Sequence, residues 1–339
     1  MLKLNILKFR MLCEAMKAVV FKGPGRMEVE DISAPSPSKG EVLVRFRAGS
    51  ICGTDLHFYR GEWSGLRIGQ VIGHDACGEL LDTGVRVAMV PVTYCGLCWY
   101  CLQGLPHLCE NGGIKGFDYD GFFSEYVVLP ERNILPIPEG VSDEEAAVLE
   151  PVALAIHTLD MLSPRIHEWV TIIGQGPIGL LITQVAKLKG CRVIAIDILD
   201  YRLKLSERFG ADFCINARYD DSASRVMEIT GRGSDIVIEA AGTRQAVEQT
   251  LLLSRRAGKI ALVGEFEGYL NLGVVGEVKL FTSYISPIEY PLALSLIAER
   301  KVDVKNLITH RFKLSEFKQA IETANNPLEK PVKVVITIC

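Results

Sequence analysis

The chain has 339 residues, 48% hydrophobic and 23% charged, with a formal net charge of −4. That length exceeds one ordinary core and predicts two domains. The mild negative charge argues against a nucleic-acid or anionic-membrane partner, and no apolar run in the sequence reaches the roughly 18 residues that span a bilayer.

The first residues are basic and apolar but lack an uninterrupted apolar stretch or a small-residue cleavage site. They do not read as a secretory signal, so a cytoplasmic location is expected. Met16 offers an alternative start, which would make residues 1–15 an extension. The fold is expected to begin with a strand at 17–21. Short strands at 42–46, 85–90 and 126–129, separated by Gly and Pro clusters, give residues 17–150 a β-rich texture.

Three segments of this first half carry chemistry. Cys52-Gly-Thr54-Asp55-Leu-His57 is followed by Gly73-His74-Asp75, and Glu150-Pro151 comes later. Cys52, His74 and a carboxylate would form a thiolate, imidazole and oxygen set. Three protein ligands leave a fourth position open, which is the catalytic arrangement for zinc. Between these segments, Cys95, Cys98, Cys101 and Cys109 are separated by two, two and seven residues. Four thiolates on a short lobe suit a closed, structural zinc site. An iron–sulfur cluster is the rival, and four unliganded thiols the plainer alternative.

Several other candidates have plainer explanations. Cys77 lies in a strand-like run and reads as core, and His157 as packing. His107 reads as structural, while His167 and His310 receive no role. His57 by itself would read as a surface histidine, but its place five residues after Cys52 favours a functional one.

From about residue 152 apolar runs alternate with helical stretches: strands at 170–173, 193–196, 236–238 and 260–263, with helices at 180–189 and 201–209. This predicts a doubly wound α/β domain with a parallel sheet to about residue 285. A helix at 292–299 and a last strand at 332–338 follow, the strand returning to the first domain. The domains are thus 1–151, 152–285 and a C-terminal return over 286–339. Gly174-Gln-Gly176-Pro-Ile178-Gly179 sits between a strand and a helix, with Asp197 ending the next strand. In that context the glycines allow close approach of a dinucleotide pyrophosphate to a helix N-terminus. Asp197 would accept hydrogen bonds from the adenosine ribose and repel a 2′-phosphate, favouring NAD over NADP. Arg202 nearby weakens that preference.

Taken together, these motifs resemble the zinc-containing medium-chain alcohol dehydrogenases, in the family's order and over nearly the whole chain from residue 17. Cys-Gly-Thr-Asp-Leu-His and the segment Leu149–His157 look most like the polyol, butanediol and threonine dehydrogenase branch. The resemblance implies a Rossmann domain plus a β-rich GroES-like catalytic domain, two Zn²⁺ per chain, NAD, and a dimer or tetramer. It matches Cys52 and His74 to catalytic zinc ligands. Asp75 stands where the family usually has Glu, and its shorter side chain shifts weight to Glu150 or water. Thr54 matches the hydroxyl that bonds the substrate oxygen, and His57 the outer end of a proton relay running through the nicotinamide ribose. Ile178 would back the nicotinamide ring, Val263 would lie near its amide, and Lys333 would approach the pyrophosphate.

The implied activity is hydride transfer from a secondary alcohol or polyol to NAD, the alcohol ionising near neutral pH under the Lewis acidity of zinc. L-threonine and aldoses are alternative substrates. A zinc-free reductase or a non-catalytic dinucleotide-binding protein is the rival from another class. The stretch between Gly78 and Val90 is shorter than in relatives, which implies a reduced hairpin and leaves the strand between the zinc sites open to displacement.

Overall fold

A computed structural model describes residues 15–264 and 277–338. Of the 1–15 segment, only Ala15 is among them. The described chain divides into two units. The first comprises residues up to Glu150 with Ser286–Ala298 and Val304 onward, and the second Pro151–Ile285 with Glu299–Asp303.

The first unit opens with the hairpin β1 (Ala15–Gly23) and β2 (Arg26–Ser33), which begins two residues before the expected strand. Then come β3 (Glu41–Ser50), helix α1 (Gly53–Arg60), β4 (Ala76–Leu80), β5 (Arg86–Met89) and β6 (Val92–Thr93). The lobe helix α2 (Trp99–Leu102) precedes β7 (Gly113–Ile114), β8 (Tyr126–Pro130), β9 (Ile134–Pro136) and the short helix α3 (Asp143–Ala146). Ser142 starts α3 with a capping box, its hydroxyl accepting from the Glu145 N–H while Glu145 reaches back. Helix α4 (Leu149–Leu162) follows.

In the second unit β10 (Trp169–Ile173), α5 (Pro177–Leu188), β11 (Arg192–Asp197), α6 (Asp200–Arg208), β12 (Phe213–Asn216), α7 (Ser222–Thr230), β13 (Ser234–Glu239), α8 (Arg244–Leu253), β14 (Ser254–Leu262) and β15 (Lys279–Thr282) alternate; β10, β11, β13, β14, α5 and α6 answer to the expected runs, and β12, α7, α8 and β15 are additional to them. All paired strands are parallel, in the order β12-β11-β10-β13-β14-β15. That is a Rossmann sheet, and its inner strands β10, β11 and β13 are almost wholly buried, while the edge strands β12 and β15 are largely exposed. Ile173, Ile194, Ile196, Val237 and Ile260 form its core.

The chain then returns to the first unit as α9 (Tyr290–Ala298), β16 (Ile308–Lys313), α10 (Phe317–Asn325) and β17 (Lys333–Thr337). The sheet there runs β16-β17-β3-β4-β5-β9, with β8 also on β3. The expected return strand therefore lies beside β3, antiparallel, with Val335 opposite Ser50. The shortened β4–β5 connection is a tight turn; β4 pairs regularly with β5 and, with one irregularity between Phe46 and Ala48, with β3. Cys77 lies in β4 and is buried, as expected of core.

The core of this unit is aromatic. Phe123 is fully buried, with ring centroids 6.4 Å from Phe46 and 5.7 Å from Phe317. Phe123 thus joins β3 to the returning helix α10. Phe123→Ala should lower the stability of this unit by about 3–5 kcal/mol. Exposed Leu252→Ala should change stability by less than about 0.5 kcal/mol. Denaturant midpoints of the two variants check this contrast.

Candidate metal and cofactor sites

The first unit brings three distant segments to one corner of its sheet. Ser50 ends β3 and donates its N–H to Asp75 O at 3.0 Å; Ile51 N–H donates to Val334 O at 2.9 Å. These two bonds fix the backbone within a residue or two of Cys52, Asp75 and Lys333. Ser50 Oγ adds a bond to Ala147 O at 2.8 Å, tying in the segment that leads to Glu150.

Donor atoms of Cys52, His74 and Asp75 lie within 4.8 Å of one another. His74 Nε2 is 3.7 Å from Asp75 Oδ1. Adjacent donors of a tetrahedral zinc, at bonds of about 2.0–2.3 Å, sit roughly 3.3–3.8 Å apart. His74 Nδ1 and Asp75 Oδ1 are buried and without hydrogen-bond partners. Buried polar atoms of a native protein are nearly always satisfied, so the unpartnered Asp75 Oδ1, beside a thiol and 3.7 Å from His74 Nε2, fits a cation ligand. Asp75, expected from its short side chain to yield to Glu150, is the carboxylate that groups with Cys52 and His74. Glu150 is not in that group; it is buried nearby, close enough for the charge of Asp75 to add to the effect of burial in raising its pKa.

Lys333 corrects another expectation. It does not lie free for a pyrophosphate; it is 2% exposed, and its Nζ donates to Asp75 Oδ2 at 2.9 Å. Sequence reasoning missed this role, and nothing local to residue 333 signals it. Asp55 was quoted only as part of a motif. It is buried, and Oδ2 accepts the Cys52 N–H at 2.9 Å, holding the thiol at the start of α1. Tyr290, fully buried, faces the same acids.

The electrostatics of the corner call for positive charge. Burial opposes the Cys52 thiolate, yet adjacent His74 brings its pKa below the usual value. Burial disfavours charged His74, but Asp75 and Cys52 hold its pKa well above the ordinary one. Burial raises Glu150, and Asp75 and Cys52 raise it further. Asp75 stays low against burial because Lys333 and then His74 face it.

The four lobe cysteines also converge within 4.8 Å. Cys95 and Cys101 sulfurs are 4.0 Å apart, and Cys98 and Cys109 sulfurs 3.8 Å. A single zinc with bonds of about 2.3 Å gives sulfur separations of roughly 3.8 Å. A disulfide needs about 2.05 Å. The N–H groups of Leu97 and Cys98 both point at Cys95 Sγ at 3.3 Å, and with them the thiol falls to about 6.

In the second unit Gly174 has φ 90°, and a Cβ on Gly179 would lie 1.9 Å from Gly174 O. Only glycine fits at that helix-to-strand contact. Gly176 caps α5, and Pro177 supplies its first turn. Asp197 Oδ2 accepts the Gln175 N–H at 2.6 Å and Oδ1 the Leu199 N–H at 2.9 Å, so Asp197 also braces the glycine turn. Arg202 is 3.9 Å from it. Ile178 and Val263 are both half-buried. Val263 N–H is held at 2.9 Å by the main-chain oxygen of Glu239.

Residues 38–139 match the alcohol dehydrogenase GroES-like domain, and residues 177–299 match the zinc-binding dehydrogenase family. An L-threonine 3-dehydrogenase from Pyrococcus horikoshii is 34% identical, the match covering 92% of this chain and 96% of the relative. The chain belongs to the zinc-containing medium-chain alcohol dehydrogenase family. A sorbitol dehydrogenase from Halalkalibacterium halodurans is 33% identical over 95% of this chain and 99% of its own. A solved Escherichia coli alcohol dehydrogenase complexed with NADH is 31% identical, with a TM-score of 0.88 over 96% of this chain and 99% of its own. The dehydrogenase is accordingly an oxidoreductase that uses zinc and NAD.

The lobe zinc depends on all four thiols, since a structural site has no spare ligand. Cys109→Ala should lower bound zinc from about two per chain to one, the Cys52 corner remaining loaded. Elemental analysis of dialysed protein checks this.

Proposed function

We propose that this dehydrogenase oxidises a secondary alcohol or polyol, with Cys52, His74 and Asp75 holding the catalytic zinc. The observation that carries the proposal is the convergence of those three donors, with Asp75 Oδ1 buried and otherwise unpartnered. Glu150 acts through its charge on this group and not as a ligand. When bound, zinc supplies a Lewis acid that acidifies the substrate hydroxyl.

The remaining chemistry belongs to the chain. Thr54 Oγ1 is 3.8 Å from Cys52 Sγ and can accept the hydroxyl proton. His57 follows three residues later on α1, so the two side chains share one helix face. His57 is one-quarter exposed and can release that proton to water. The carbon-bound hydrogen leaves as hydride to NAD. Gly174, Gly176, Ile178, Gly179 and Val263 are proposed to line the cofactor, with Asp197 favouring NAD over NADP. The distance of 3.9 Å between Arg202 and Asp197 supports a guanidinium engaged with that carboxylate and not reserved for a phosphate.

L-threonine is the second substrate reading, because a relative of that name covers almost the whole chain. We further propose a cytoplasmic homo-oligomer, dimer or tetramer. No described helix is long and apolar enough to cross a membrane.

Two experiments test these assignments. A panel of secondary alcohols, polyols, aldoses and threonine, followed by NAD reduction with NADP in parallel, should show a polyol or secondary alcohol with NAD as the fastest pair; threonine as the fastest substrate would favour the second reading. Asp75→Ala should release the Cys52 zinc, whereas Glu150→Gln should retain it. The reverse result in zinc content would transfer the ligand role to Glu150.

A further inference from the structure

The outer end of α1 carries a side-chain cluster with no part in the metal corner. His57 Nδ1 lies 2.6 Å from Glu62 Oε2. The imidazole stacks on Trp63, with centroids 4.6 Å apart and planes within 8°. Arg60 grips the same carboxylate, Nε to Oε1 at 2.6 Å and Nη2 to Oε2 at 2.8 Å. Asn325 of α10 holds Arg60 in turn, accepting from Nη1 at 3.1 Å. A helix stop creates this cluster. Gly61 takes φ 72°, and the Glu62 N–H donates back to His57 O at 3.0 Å. The chain therefore reverses at once and delivers Glu62 and Trp63 to His57.

The 2.6 Å contact decides the tautomer. A carboxylate oxygen and an unprotonated ring nitrogen would set two lone pairs against each other at that distance. The proton must lie between them, on Nδ1. Arg60 Nη2 is 3.3 Å from the same nitrogen, a longer contact that a protonated Nδ1 cannot accept. Glu62 remains anionic over the ordinary assay range, since Arg60 and then His57 hold its carboxyl at about 2 against slight burial.

We infer that Glu62 is a positioning residue for the dehydrogenase reaction: by accepting the Nδ1 proton it leaves the lone pair on His57 Nε2, and so selects Nε2 as the nitrogen that takes the proton released from the alcohol. This rests on the relay role proposed for His57. The step balances without further reagents. Nε2 gains the proton and the ring becomes imidazolium, still donating through Nδ1 to Glu62; Nε2 then passes its proton to water, and Glu62 is never protonated. Trp63 fixes the ring plane. The charged groups meeting the imidazole, Glu62 and Arg60, come from its own turn of chain, and α10 contributes the neutral Asn325.

Nitrogen-15 NMR of the zinc-loaded, full-length protein tests this, the His57 signals being assigned by their loss in His57→Ala. Wild type should show His57 protonated at Nδ1. Glu62→Ala should move the proton toward Nε2 and lower kcat for alcohol oxidation by about tenfold or more, leaving KM for NAD and zinc content unchanged. Glu62→Asp should restore part of both signals. If Glu62→Ala leaves either the tautomer or kcat unchanged while His57→Ala lowers kcat, the role of Glu62 is overturned and that of His57 stands. If His57→Ala leaves kcat unchanged, the relay itself falls.

Discussion

The ion pair between Lys333 and Asp75 is the constraint on which the metal corner depends. Cys52, Asp55, Asp75 and Glu150 are acidic groups drawn into one partly dry space, where His74 is the other cation-forming group that acts on them. Isolated buried charge is costly, and a buried pair repays that cost only with good geometry and satisfied remaining atoms. Lys333 Nζ sits 2.9 Å from Asp75 Oδ2, and Ser50 Oγ approaches the same oxygen at 3.2 Å. One carboxylate oxygen is thereby committed to the protein and the other left open. A ligand anchored through its second atom presents its first in a fixed direction, as outer-shell partners commonly arrange for metal ligands.

This pair also accounts for the course of the chain. Lys333 can reach Asp75 only because β17 comes back across the second unit's whole length of sequence to lie on β3. The pairing of Val335 with Ser50, and the bond from Ile51 N–H to Val334 O, hold the lysine at the right depth. A cation brought by a strand in a central position of a sheet has far less freedom than one on a loop. Its long stem is packed, and the entropy of a flexible lysine is lost on folding, not on each encounter with metal.

What could be read in the sequence follows from the range of the interactions. The four cysteines and the glycine turn are local signals, each complete within about fifteen or twenty-five residues, and their geometry answers to spacing. The alternation of apolar runs likewise exposes β10, β11, β13 and β14, whose buried stretches have no polar side to disguise them, whereas β12, with Phe213 and Cys214 exposed, gives no such run. Lys333 was legible as a charged residue in a last strand but not as the partner of Asp75. Their pairing depends on strand order, which no local pattern encodes. The choice between Asp75 and Glu150 was hidden for the same reason. Side-chain length suggested that aspartate falls short, whereas the backbone bond from Ser50 to Asp75 O draws that segment close enough to compensate. Asp55 was legible as a helix-cap acid at the third position of α1, but its electrostatic tie to His74 depends on the same fold-level approach.

Helix α1 joins two environments that would otherwise conflict. Its N-cap, Cys52, belongs to the dry corner, where charge must be neutralised and water excluded for zinc to polarise an alcohol strongly. Its other end, with His57 and Glu62, is partly exposed to solvent, which suits the proton release proposed for it. The helix is only eight residues long, roughly 12 Å at 1.5 Å per residue. Thr54 lies on the same face between the two ends. Gly61 stops the helix four residues after His57, and the reversal brings the Glu62 carboxylate to that histidine. A longer helix would carry Glu62 onward along its axis and away from His57. On the proposed relay, the stop set by one glycine therefore governs which carboxylate meets His57 and so which of its nitrogens takes the proton.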